Sequence, residues 1–151
     1  MIKSRYQIVG FVAIALLSMT SPSRASAPAG RYTSPNTATV FDTMTKLTWQ
    51  KGTSPTTNTW DEAKSYCAAV AAALGGSGWR LPTAKEIQTL FDYSKGSPAI
   101  DTSSFPNTQS AGYWTSTPNV STPTWAWYAT FSGGSISVSP PSMGFYVRCV
   151  R

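Results

Sequence analysis

Two cysteines, six carboxylates and no histidine bound the chemistry open to this chain. Without an imidazole there is no side chain that titrates unaided near neutral pH, and no histidine ligand for a metal. Ser-His-Asp and Cys-His arrangements are therefore excluded. Asp61 and Glu62 are the one adjacent acidic pair, and they fall where a helix begins, a place where negative charge meets the helix dipole favourably. Asp92 and Asp101 flank a polar stretch and can contribute to a cation site. Calcium, however, takes about 6–8 oxygen ligands with several carboxylates among them. The Glu-Pro-Asn and Trp-Asn-Asp signatures of calcium-dependent sugar binding do not occur. Neither a metal nor a cofactor is expected.

Aromatic residues carry a different possibility. Six Trp and seven Tyr exceed the obvious needs of one small core. Set among Ser, Thr and Asn in loops, such rings stack on sugars while the polar rim hydrogen-bonds to them. Tyr93, Tyr113, Trp114, Trp125 and Tyr128 are the candidates for ligand contact. Lys95, Arg148 and Arg151 can add attraction to an acidic or sulfated polysaccharide. Trp49, Trp60, Trp79 and Trp127 are assigned to the core or its support. The same surface would serve a protein partner, so a surface-structural or protein-interaction module is the alternative reading.

The elements that must hold these residues are legible in outline. Lys3 and Arg5 precede an apolar run over 8–19 and then the small-residue stretch 20-TSPSRASAPAG-30, the order of a secretory signal peptide. The run is short of the ~20 residues that span a bilayer, which argues against the rival reading of an uncleaved anchor. Cleavage falls after Ala25, Ala27 or Ala29, and no Cys lies near for a lipid anchor. From Ser26 onward nine Lys and Arg stand against six Asp and Glu, so the net charge drops from +6 to +3. No Lys/Arg-rich run exists, which removes the footprint of a nucleic-acid binder. A secreted protein, periplasmic or extracellular, without stable membrane insertion after cleavage, is expected. In that oxidising setting Cys67 and Cys149 read as a disulfide, with two free catalytic or metal-binding thiols as the rival.

Residues 26–37 read as a flexible lead-in and 38–151 as one domain. The stretch 39-TVFDTMTKLTWQ-50 predicts a hairpin with Val40, Leu47 and Trp49 inward. Thr59 with Glu62, and Thr83 with Glu86, form two Thr-x-x-Glu capping boxes. The first opens a helix whose stripe Trp60, Ala63, Cys67, Val70, Ala71 and Leu74 runs to Gly75–Gly76. The second opens a shorter helix with Ala84, Ile87, Leu90 and Phe91 inward. A long polar loop over 94–112 follows, of the kind that is more often functional than short connections are. Then come a strand over 113–117, an alternating strand 125-WAWYATF-131 with Trp125, Trp127, Ala129 and Phe131 on one face, a Gly133–Gly134 turn and 135-SISVS-139. A last strand, 144-GFYVRCVR-151, puts Phe145, Val147 and Cys149 opposite Tyr146, Arg148 and Val150. Segregated helices and strands make the class α+β, two helices packed on short antiparallel strands with long loops.

Five segments, 42-DTMTKLTWQ-50, 59-TWDEAKSYC-67, 78-GWRLPTAKEIQTL-90, 113-YWTST-117 and 146-YVRCV-150, together resemble the Lcl C-terminal domain family, named for the terminal domain of a collagen-like bacterial adhesin. The likeness covers most of the chain from about residue 38, and departs at Lys46, where the family often has Gly. It implies a C-type-lectin-like fold, similar to that of formylglycine-generating enzymes, and a disulfide from the first helix to the last strand, the places of Cys67 and Cys149. It also implies a role in adhesion. The related enzymes use a reactive thiol pair late in the domain, and this chain has no second late Cys. The expectation is a non-catalytic module that binds polysaccharide or a cell-surface glycan.

Overall fold

Residues 26–151 are described in the computed structural model, and the segment read as a signal peptide, 1–25, lies outside the described residues. The expected first hairpin forms as β2 (Thr39–Asp42) and β3 (Thr48–Gln50), with Val40 opposite Trp49 and both fully buried. Its turn is held by Asp42, whose carboxylate accepts the Met44 N–H at 2.9 Å and whose carbonyl accepts the Lys46 N–H at 2.9 Å. Lys46 closes the turn at φ +64°, a conformation glycine adopts freely and a side chain resists.

The lead-in is not wholly loose. Tyr32–Thr33 form β1 on the outer side of β2, giving an antiparallel sheet in the order β1-β2-β3. Arg31 holds the segment down through a 2.7 Å ion pair to buried Asp42 and a 2.7 Å bond to the Thr89 carbonyl. Burial alone would push Asp42 up, but hydrogen bonds from Arg31, the Met44 N–H and Thr45 outweigh it and hold the carboxylate below its ordinary range.

Both capping boxes are present, each with its side chain accepting from the N3 backbone and its Glu accepting from the cap backbone. They start α1 (Trp60–Ala69) and α2 (Ala84–Gln88) where the sequence predicts. Both helices end earlier than their apolar stripes. The chain continues through turns to Leu74 and Leu90, which are buried all the same. Apolar spacing reports the inward face, and a turn keeps that face inward as well as a helix does.

A second antiparallel sheet, order β4-β5-β6, comprises β4 (Gly112–Pro118), β5 (Ala126–Thr130) and β6 (Ser135–Ser139). The glycine turn falls as expected, with Gly134 at φ +73°. The last segment departs from expectation: 144–151 forms isolated bridges instead of a continuous strand. Its backbone bonds in turn to Asn58, to Gly112 and Trp114 of β4, to Ser54, to β3 and to Arg80. Each stretch thus has a different neighbour, and the segment clips the two sheets together. Its alternation survives. Phe145, Val147 and Cys149 pack with Cys67, Trp79 and Trp114, while Tyr146 and Val150 join Trp49, Ile87, Phe105 and Tyr113. Both faces are therefore inside. The architecture is α+β, with two small sheets, two short helices and a core in two clusters on either side of this segment.

Candidate functional site

Burial divides the ligand candidates, and Arg151, exposed at the chain end, donates to the Gly75 carbonyl at 2.9 Å. Tyr113, Trp114 and Arg148 are all 0% exposed, which corrects their assignment to a binding surface. Tyr113 and Trp114 are neighbours on β4 and point into the two opposite clusters. Their polar atoms are used internally: the Tyr113 hydroxyl accepts from the Gln109 N–H at 2.8 Å and lies 3.0 Å from the Thr53 hydroxyl, and the Trp114 indole donates to the Asn58 carbonyl at 2.8 Å.

Arg148 follows from the two-sided burial of the last segment. Its guanidinium donates to Thr108 Oγ1 at 2.9 Å, Thr53 Oγ1 at 3.2 Å and the Gly52 carbonyl at 3.3 Å, and lies over the Phe105 ring at 4.9 Å. Among the described residues no carboxylate pairs with it, and its Nη1 has no partner. Burial pushes its pKa down to about 10, so it remains charged at neutral pH. This cation braces the 51–53 and 105–108 loops from inside.

Tyr93, Lys95 and Trp125 are exposed, and Tyr128 is half-buried. Tyr93 is 65% exposed and rests against Gly134, donating to its carbonyl at 3.0 Å; Lys95 lies beside it on the same turn. Trp125 is 37% exposed and stands at the other end of β5. The length of β5 separates the two positions by about 14 Å at the rise of an extended strand. Trp125 is also fixed: its N–H donates to the Thr122 carbonyl and its carbonyl accepts from the Asn119 N–H, both at 2.8 Å. Tyr128 is turned to the opposite face of β5 and stacks on Phe145 with ring centroids 4.2 Å apart. The alternation assigns Phe145 to the core alone, yet its ring is half-buried and extends the Tyr128 surface. Its one sequence signal is the adjacent Gly144, where the chain enters the core from an exposed loop.

Of the four Trp assigned to the core, Trp49 and Trp79 are buried and Trp60 and Trp127 half-buried. In β5 the inward places go to Ala126, Ala129 and, just beyond it, Phe131. Trp60 donates to the Thr115 carbonyl at 2.7 Å, and the Lys64 ammonium sits 4.0 Å over its ring.

The acids serve local structure. Asp92 accepts from the Ser94 N–H and hydroxyl, and Asp101 from the Ser103 N–H and the Ser104 hydroxyl. Asp61 pairs with Lys64 at 2.7 Å, and Glu62 closes the first capping box. Among the described residues no group of three or more Cys, Asp or Glu gathers as a metal site, and no pocket opens. Glu86 carries the largest carboxylate shift. The Arg80 guanidinium grips it through two 2.8 Å bonds, and the Thr83 N–H adds a third at 2.7 Å. Together these lower its pKa from 4.5 to about 2, against the opposing effect of burial. Arg80 of the Trp-Arg-Leu-Pro-Thr run is thus a structural residue that locks the start of α2.

Cys67 on α1 and Cys149 in the last segment are joined as a disulfide, and both are fully buried. The model of the Lcl C-terminal domain matches residues 38–151, three-quarters of the chain. The chain belongs to this family. Among curated proteins no match is found. Membership marks an Lcl C-terminal domain as a surface- or adhesion-related unit. Its shared segments now have structural roles here: the hairpin turn, the two capped helices, the Arg80–Glu86 lock and the disulfide. Lys46 holds the positive-φ place that suits the glycine common in the family. No helix among the described residues is long and apolar enough to cross a membrane.

Proposed function

We propose that this Lcl C-terminal domain is a secreted, non-catalytic module that binds a polysaccharide in adhesion. The observation that carries the reading is Trp125, an exposed indole whose backbone is bonded on both sides. An indole on a backbone already held in place offers an apolar face to a sugar with little main-chain entropy to lose on binding. Tyr93 and Lys95, at the far end of the β5–β6 hairpin, favour an extended chain over a single sugar, because only a polymer reaches both. Net charge +3 from Ser26 onward favours an acidic or sulfated one. The non-catalytic reading rests on the absence of histidine and on both cysteines being bound in the disulfide, which leaves no thiolate to react. Export agrees with the disulfide and with the sequence of residues 1–25. The bridge from first helix to last segment supports a C-type-lectin-like relationship for the fold.

The test is retention on immobilised heparin, a sulfated polysaccharide, at low salt. The reading expects retention that weakens as salt rises, since exposed charges are screened over about 10 Å at 0.1 M. Passage without retention there and on a panel of other acidic and neutral polysaccharides would overturn it.

A further inference from the structure

Two of the four sheet edges are closed, and a third is too short to serve as a template. The outer side of β3 is taken by the last segment, through the Gln50 N–H to the Cys149 carbonyl and the Thr48 N–H to the Arg151 carbonyl. The outer side of β4 is covered by Tyr146 and Pro82, which accept from the Trp114 and Ser116 N–H groups. β1 is only two residues long. That leaves β6: among the described residues it pairs with β5 alone, and no other hydrogen bond reaches its backbone over 136–138.

An open edge of five residues is a template for another strand, and folded proteins usually guard one with a charge, a proline or a bulge. β6 reads Ser-Ile-Ser-Val-Ser and has none of these; Pro140 and Pro141 come only after it ends. The sequence is also nearly palindromic. Laid antiparallel on itself about Ser137, it sets Ile136 opposite Val138 and Ser135 opposite Ser139, so apolar meets apolar and hydroxyl meets hydroxyl. Ile136 and Val138 are half-buried, as is Trp127, which pairs with Val138 across β5. All three stand on one face of the sheet, Ile136 and Val138 on the edge strand itself and Trp127 one strand in.

We infer that β6 is a self-association edge, pairing with β6 of a second copy about a two-fold axis at Ser137 to make one six-stranded antiparallel sheet. An uncharged, self-complementary edge suits an isologous contact, in which each copy gives the other the same groups. The added strand sets Ile136 of the second copy against half-exposed Val138 and supplies the missing partners of the β6 backbone.

Sedimentation equilibrium on the exported chain tests this, with Ser137→Lys and Ser137→Glu beside the wild type. Ser137 is exposed, so either side chain is accommodated in a single copy, as unchanged far-UV circular dichroism would verify. Wild type is expected to dimerise. Each variant alone brings like charges together on the axis and weakens association by roughly tenfold or more. An equimolar mixture of the two restores it as a heterodimer. A wild type that stays monomeric to millimolar concentration would overturn the inference. So would a dimer that both variants leave intact, or variants whose mixture associates no better than each alone.

Discussion

At the scale of single residues, Arg148 shows how position decides what a side chain can do. An arginine near the end of a basic, aromatic-rich domain invites assignment to a ligand. Here it is enclosed by Thr53, Thr108, Phe105 and Tyr113, and what it binds is the protein's own loops. Replacing it with alanine leaves a cavity and removes the donor to two hydroxyls and two carbonyls. Arg148→Ala should lower stability by about 2–4 kcal/mol in urea unfolding, with polysaccharide retention per folded molecule unchanged. Lys46 makes the opposite case. It holds φ +64° on an exposed turn, and Lys46→Gly removes the clash of its Cβ with the backbone. A gain of about 0.5–1 kcal/mol is expected from thermal unfolding, the strain relieved less the extra freedom of glycine in the unfolded chain.

Elements were legible in the sequence to the extent that local chemistry decides them. The two Thr-x-x-Glu boxes mark both helix starts because cap and partner lie three residues apart and need nothing distant. The turns at 42–46 and 133–134 were readable for the same reason. What the sequence hid was settled at long range. β1 is two residues in a polar stretch, and it exists because Arg31 reaches Asp42 and Thr89. The last segment carries a strand pattern, but its successive backbone groups pair with different neighbours. The period-two alternation of 145–150 is real, yet nothing local says that both faces are covered. That is why Tyr113, Trp114 and Arg148 read as surface candidates while Trp125, Tyr93 and Lys95 remained available. The Arg80–Glu86 lock belongs to this scale too. Glu86 titrates at about 2 when folded against 4.5 ordinarily, so its contribution is complete above about pH 4.5 and disappears as pH falls towards 2. Stability measured from pH 5 down to pH 2 should fall less steeply in Glu86→Gln than in the wild type; parallel acid limbs would show that the pair contributes nothing.

For the whole molecule, the disulfide and the last segment form one device, fastening α1 to the segment that bridges both sheets. Its loop spans 82 residues, and closing so long a loop stabilises by about 4–5 kcal/mol in the chain-entropy model. Cys67→Ala with Cys149→Ala should therefore lower stability by about 2–5 kcal/mol, read from the midpoint of denaturant unfolding. Such a frame holds the backbone beneath exposed rings in place, and the binding proposal depends on that property. Trp114 and Trp125 separate the two roles: the first is packed against Phe145 and Tyr128 inside the domain, the second is held only through its backbone at the surface. The most direct test is the salt at which Trp125→Ala elutes from immobilised heparin, compared with the wild type. A clear drop in elution salt with unchanged unfolding is the predicted result. Equal elution of the two folded proteins would contradict the central claim that Trp125 is the anchor of the binding surface.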